Sequence, residues 1–297
     1  MHHSVHHKIC PACKASALTE VFTVEDYAVS HERFPIIECN ECGLRFTDLV
    51  PCETVIGRYY QSTDYVSHSD TKKGIINRLY HIARSFTLQQ KLNLVRKVTG
   101  KSVGMHLDVG SGIGAFVHKM ERGGWSTIGV EPDEKARTIA AKKYNADVFP
   151  AEHFFTLPAG TYDAITMWHV LEHVHQLDKY ILQAKSLLSK GGKLIFAVPN
   201  YTSKDAGVYK TEWAAYDVPR HLYHFSPESM RRLMKRHGLH VKQTYNMWLD
   251  SFYVSMLSEK YRKGSIIRAV WNGFISNFNA LFNKEKCSSL IYVIETA

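Results

Sequence analysis

The sequence predicts an α/β protein built on a doubly wound sheet, with a small cysteine-bearing module ahead of it. Three observations carry that expectation. Strand-like and helix-like segments alternate from 104 to 297, a glycine-rich turn joins the first of these strands to a helix, and two C-x-x-C pairs fall within the first fifty residues. Strands alternating with helices form a mostly parallel sheet covered on both faces.

Bulk composition is that of an ordinary globular chain. Of 297 residues, 45% are hydrophobic and 22% charged, enough apolar material for a sizeable core and too much for a disordered chain. The net charge of +9 admits anionic partners such as a nucleotide, a phosphorylated substrate or nucleic acid. Lys and Arg are scattered without a run of five, which disfavours nucleic acid. The opening residues lack the apolar segment of a secretory signal, and nowhere do about 18 apolar residues stand together, so no membrane span is expected. The expected location is cytoplasmic, where disulfides are rare, and the six cysteines read as thiols or metal ligands.

Taken in order, residues 8–50 show short apolar runs and little helical periodicity, and read as a zinc-ribbon-like module. Residues 51–100 read as a helical connector or lid, because Ile75, Leu79, Ile82, Phe86, Leu92 and Val95 recur near helical spacing. Residues 101–297 form the main domain. Its strands are expected at 104–109, 126–131, 146–149, 162–167, 192–198, 240–245 and 289–295, with helices at 114–122, 133–143, 176–189 and 227–237. About 246–288 lies an insert of two helices rich in aromatics, among them Trp248, Tyr253, Trp271, Phe274, Phe278 and Phe282. It reads as a cap packed on the core, as a homodimer surface, or as an apolar wall toward substrate or membrane.

Cys10 and Cys13 form one C-x-x-C knuckle, and Cys39 and Cys42, followed by Gly43, form the other. Each knuckle can turn two thiolates to one side, and together they complete a tetrahedral Zn2+ site with no open position, hence a structural one. The 25 intervening residues are slightly more than usual for a ribbon, and an iron–sulfur centre is the weaker alternative. Cys52 and Cys287 have no partner pattern.

The segment Met105–Phe116 runs from a strand through Gly110, Ser111, Gly112 and Gly114 into a helix. Glycines let backbone approach a ligand, and the helix start offers unpaired N–H groups. About twenty residues on, Glu131 in Ile128–Asp133 is placed to accept bonds from both hydroxyls of a ribose. Dinucleotide enzymes use the same two devices. Asp108 separates the alternatives, since a carboxylate there attracts an ammonium group and repels a pyrophosphate.

With Tyr162–Val174 and Leu188–Asn200 following in order, these segments resemble the class I S-adenosylmethionine-dependent methyltransferases over about 100–297. The resemblance implies a Rossmann-like seven-stranded, mostly parallel sheet whose last strand, near Leu290–Glu295, runs antiparallel. It implies that Gly110, Ser111, Gly112 and Gly114 surround the methionine part of S-adenosylmethionine with Asp108 beneath them. Glu131 would hold the ribose, Pro132 and Glu152 would lie by the adenine, and Trp168 and His169 would line the sulfonium pocket. His173 reads as packing at a helix end.

The segment Asp217–Pro227 is similar to that of a subgroup including zinc-containing sugar C-methyltransferases and quinol O-methyltransferase-like proteins, which also carries an N-terminal zinc-binding region. It makes His221, His224 and Tyr223 the candidates for acceptor chemistry, with a histidine as base. Tyr59, Tyr60, Tyr65 and His68 could close over the ligands or simply pack. The expected function is methyl transfer to oxygen or carbon of a small-molecule acceptor, a sugar nucleotide or quinol-like metabolite. The strand before Trp168 and His169 does not end in the Asn-Pro-Pro-Tyr that grips nucleobase amines. The alternatives are an RNA or protein methyltransferase using the zinc module to hold its substrate, and a non-catalytic S-adenosylmethionine-binding module.

Overall fold

The computed structural model describes residues 4–60 and 75–297, the stretch 75–83 by its backbone alone. Tyr65 and His68 lie outside the described residues. The described chain divides into two compact units. The first takes 4–60, 171–177 and 197–292; the second takes 75–170, 178–196 and 293–297. These units cut across the sequential division at 50 and 100.

In the first unit, β1 (Ser4–Val5) precedes β2 (Leu18–Glu25), β3 (Arg33–Cys39), β4 (Arg45–Thr47) and β5 (Val50–Pro51). The C-x-x-C segment is therefore strand and turn, as its lack of helical periodicity implies. A 3-10 turn, Ile56–Tyr60, closes this stretch. The second unit begins with α1 (Ile75–Thr99), whose Leu92 and Val95 are buried while Phe86 is 57% exposed.

The second unit continues with β6 (Met105–Val109), α2 (Ala115–Arg122), β7 (Ser126–Val130), α3 (Glu134–Ile139), β8 (Val148–Phe149), β9 (Tyr162–Trp168) and α4 (Leu177–Leu187). β10 (Leu188–Pro199) follows, its last residues counted with the first unit, to which α5 (Lys204–Tyr209), β11 (Tyr223–His224), α6 (Pro227–Arg236), β12 (Leu239–Asn246), α7 (Asp250–Tyr261), α8 (Ile266–Phe282) and most of β13 (Ser289–Thr296) belong. Seven of these strands form one sheet in the order β12-β13-β10-β9-β6-β7-β8, parallel except for the last strand of the chain. Parallel strands covered on both faces need no alternation, and His106 through Val109 are accordingly all buried.

A second sheet, β11-β4-β3-β2, explains why the units ignore the sequential boundaries. Tyr223 pairs with Phe46 and His224 with Arg45, so a segment 170-odd residues downstream completes the cysteine module's sheet. Behind it, α6 starts on a capping box: Ser226 accepts from the Ser229 N–H, and Pro227 fills the first turn.

Between β12 and β13 lie the helices α7 and α8, and the aromatics of α8 face outward. Trp271, Phe274 and Phe282 are among its exposed side chains. No described helix is long and apolar enough to cross a membrane.

Candidate functional site

The glycine turn sits where parallel β6 meets α2, beside the end of β7. Gly110, Gly112 and Gly114 all have positive φ (+72°, +53° and +74°). Their reasons differ. A Cβ on Gly110 would come 2.3 Å from Val170 Cγ2, and one on Gly114 2.7 Å from Ala140 Cβ, so both are required by packing. At Gly112 a Cβ would meet nothing within 4 Å; there the turn is open. A residue not singled out from sequence belongs with them: a Cβ on Gly129 would come 2.5 Å from Ser111 Oγ. Its signal was its place two residues before Glu131.

Glu131 is tied to this loop. Its Oε2 accepts the Gly112 N–H at 2.8 Å and its Oε1 the Asp133 N–H at 3.0 Å. Burial raises its carboxyl above the ordinary range. A carboxylate has further lone pairs, so these bonds leave capacity for ribose hydroxyls. Pro132 is exposed, its carbonyl held by Arg137 Nη1 at 2.7 Å. Glu152 is exposed on a 3-10 turn, Ala151–Thr156, just after β8. Both therefore follow the carboxyl ends of neighbouring parallel strands, where ligands of open α/β sheets bind.

Asp108 is fully buried. The Thr166 hydroxyl donates to its Oδ1 at 2.6 Å, and His106 Nε2 lies 2.9 Å from the same hydroxyl. Burial pushes the Asp108 carboxyl up to about 7, against the pull of the Thr166 bond and of Lys91. Trp168 ends β9, edge-on to Phe116 with centroids 5.7 Å apart, and Lys91 Nζ lies 4.1 Å from its ring centre. Its indole Nε1 is buried without a hydrogen-bond partner among the described residues. His169 follows at φ +56°, a left-handed conformation uncommon outside glycine. An open glycine cradle, an orphaned indole N–H and a buried acid without an ion pair among the described residues fit a ligand carrying a ribose and a cation.

The acceptor candidates lie in the first unit. His224 is buried with Nε2 3.1 Å from Thr47 Oγ1, and burial, then the His221 charge, drives its pKa well below the ordinary value. Tyr223 is buried, its hydroxyl donating to the His175 carbonyl at 3.3 Å. His221 places its Nδ1 2.8 Å from the Ala215 carbonyl, so Nδ1 carries the proton and Nε2 is the basic nitrogen. His173, which sequence reasoning assigned to packing, stands edge-on to it at 4.5 Å, with its own Nδ1 3.0 Å from the Arg220 carbonyl and 3.1 Å from the Tyr60 hydroxyl. Burial, then the neighbouring His221, lowers His173 to about 4. Glu172 completes the group: one donor atom from each of Glu172, His173 and His221 lies within 4.8 Å of the others, a set able to hold a proton or a cation.

Arg220 anchors this segment. It is fully buried, and its Nη2 donates to Asp26 at 2.9 Å and to Asp217 at 2.7 Å, while Nη1 donates to the Tyr59 carbonyl at 2.8 Å. Burial would raise Asp26 and Asp217, but the guanidinium outweighs it and holds both carboxyls below their usual range. Tyr59 thus packs here and Tyr60 faces His173.

The four cysteines Cys10, Cys13, Cys39 and Cys42 converge, with all sulfurs within 4.8 Å and the pairs Cys10–Cys42 and Cys13–Cys39 each at 3.5 Å. The two knuckles share one turn geometry. Lys14 donates its N–H to the Cys10 carbonyl and Gly43 to the Cys39 carbonyl, both at 2.9 Å and both with φ +67°. Tetrahedral Zn–S bonds of about 2.3 Å place sulfurs about 3.8 Å apart, so the donor set fits that ion.

Residues 81–244 match the model of a methyltransferase domain. The chain is 29% identical over 162 residues to the mitochondrial ubiquinone biosynthesis O-methyltransferase of Homo sapiens, covering 49% of this chain and 44% of that relative, so it spans less than half of the relative's length. It is likewise 29% identical over 165 residues to an uncharacterised methyltransferase of Bacillus mycoides, covering 51% of this chain and 77% of the relative. Among solved structures, magnesium protoporphyrin IX methyltransferase from Synechocystis PCC 6803 with bound SAH superposes with a TM-score of 0.53 at 16% identity, covering 83% of this chain and 100% of that one. With the matched domain taking more than half of the chain and the seven-stranded sheet in place, the protein belongs to the methyltransferase-domain family and carries the class I S-adenosylmethionine-dependent fold.

Proposed function

We propose that the protein transfers a methyl group from S-adenosylmethionine to an oxygen or carbon atom of a small-molecule acceptor, a sugar nucleotide or a quinol-like ring. The observation that carries this reading is the turn at Gly112, open on its Cβ side and fixed by Glu131, one strand from the buried acid Asp108. S-adenosylmethionine, when bound, supplies a methyl group made electrophilic by its sulfonium. Asp108 would face the ammonium group across Gly110 and Ser111, Glu131 would take the ribose hydroxyls, and Gly114 would start the helix. Pro132 and Glu152 would border the adenine, and Trp168 and His169 the methionine end. Zn2+ on Cys10, Cys13, Cys39 and Cys42 would be structural, since four sulfurs leave no position for substrate.

An oxygen or carbon acceptor must also lose a proton. His221 is the base in this reading, because its Nδ1–H is committed to the Ala215 carbonyl and Nε2 is left basic. Tyr223 and His224 hold the segment through their pairing with β4. The human relative's name supports an oxygen acceptor.

Calorimetric titration tests the donor side: S-adenosylhomocysteine should bind and NAD should not, and the reverse result removes the reading. For the acceptor side, release of S-adenosylhomocysteine is followed over a panel of hydroquinones and nucleotide sugars. His221→Gln should lower turnover about 10²-fold or more on any acceptor found. A wild-type rate in that variant would leave His221 without a role in proton removal.

A further inference from the structure

Helix α8 is built inside out. At 100° per residue, Ala269, Gly273, Ser276 and Ala280 share one side, and all four are buried. The packing there is tight: a Cβ on Gly273 would come 2.6 Å from the Phe252 ring and 3.0 Å from its Cα. The large apolar residues take the opposite side. Ile267, Val270, Trp271, Phe274, Phe278 and Phe282 fall in a sector of about 120°, and each is more than half exposed. A surface helix normally shows the reverse arrangement, and a contiguous exposed apolar stripe marks something that covers it.

Charge says which kind of partner. Ile266–Phe282 contains no acidic residue. The exposed basic residues Lys260, Lys263 and Arg268 stand at one end of the stripe and Lys284 at the other. A second copy of the chain related by a two-fold axis would set basic ends against basic ends whether the helices met parallel or antiparallel. An anionic bilayer surface meets the apolar stripe and both basic ends at once, with Trp271 at the level of the headgroups. We propose that α8 docks the protein on a membrane surface carrying anionic phospholipid, lying in the interface plane.

The test sediments the whole protein with vesicles of phosphatidylcholine and with vesicles containing phosphatidylglycerol. The protein should follow the anionic vesicles and not the zwitterionic ones, should be released as salt rises, and should show a blue shift of tryptophan emission on binding. A Trp271→Glu, Phe274→Glu variant should bind the anionic vesicles at least about tenfold more weakly. Its far-ultraviolet circular dichroism and its affinity for S-adenosylhomocysteine should be unchanged. Failure to follow anionic vesicles, or equal binding by the variant, overturns the proposal. So does a dimer by light scattering that the variant turns into a monomer, because the stripe then belongs to a second copy.

Discussion

Two buried acidic sites, one in each compact unit, handle the same physical problem in opposite ways. In the first unit Asp26 and Asp217 flank the fully buried Arg220, and both carboxyls are held below their usual range. In the second, Asp108 has a hydroxyl donor and, among the described residues, no ion pair at hydrogen-bond distance, and burial lifts it to about 7. Carboxylates held by the protein's own guanidinium have their counter-charge inside the fold and serve it. An acid left short of positive charge is incomplete in the protein alone, and in a ligand site it fits a cation brought from outside. The thiols of Cys10, Cys13, Cys39 and Cys42 fall in the same category as Asp108, because four sulfurs crowded together are a donor set that could hold a metal ion.

This difference can be broken by experiment, and the largest effect concerns the cysteines. If Zn2+ neutralises them, prolonged chelation or Cys39→Ser should melt the β11-β4-β3-β2 sheet, since the free energy of binding a structural zinc is folding free energy. Loss of one zinc per chain together with loss of the structured signal is the expected result. An unchanged melt after complete removal would make the cluster dispensable. Next comes Arg220→Met, which would leave two carboxylates buried without their partner and should cost about 3–5 kcal/mol in urea unfolding. A cost below about 1 kcal/mol would mean that the Asp26–Arg220–Asp217 cluster is not what holds this segment.

Asp108→Asn should behave otherwise. Its folded carboxyl, near 7, lies above the ordinary value of 3.8, so the folded state binds the proton more tightly. The stability penalty is absent below about 4, grows as pH rises, and is complete above about 7. The variant should therefore be more stable than the parent at pH 8 and equal to it at pH 4. Affinity for S-adenosylhomocysteine should fall about 10- to 100-fold through loss of the charged partner. Asp26 and Asp217 carry the opposite sign: their depressed carboxyls add stability above the ordinary value of 3.8, and it is lost as pH falls below that value. A chemical-denaturation series across pH on Asp108→Asn and Asp217→Asn separates the two behaviours.

How much of this was visible in the chain follows from how each part is assembled. The donor side is local. Gly110, Gly112, Gly114 and Glu131 lie within one strand–turn–helix–strand unit, and the turn needs those residue types in that order. Gly129 is less legible because its necessity is a contact between β7 and Ser111 in the turn after β6. The acceptor side is not local. Glu172, His173 and His221 meet because the Leu222 N–H donates to the Glu172 carbonyl at 2.7 Å, a bond no spacing announces. From sequence His173 reads as helix-end packing, because Leu-Glu-His at that point is common in the family the chain resembles. Tyr223 and His224 are candidates through the resemblance of the Asp217–Pro227 segment, and their place is set by pairing with Phe46 and Arg45. The α8 stripe was legible in principle, since Ala269, Gly273, Ser276 and Ala280 recur at helical spacing, but small residues mark a packed face only once a neighbour is known.

The central claim is that Asp108 is the charge to which the donor's cation is fitted. Isothermal titration of S-adenosylhomocysteine across pH 5 to 9, on the parent and on Asp108→Asn, tests it most directly. The parent's affinity should climb as Asp108 ionises and level off just above its folded value of about 7, while the variant's profile should stay flat and low. Parallel profiles in the two proteins, or equal affinity at pH 8, would contradict the claim.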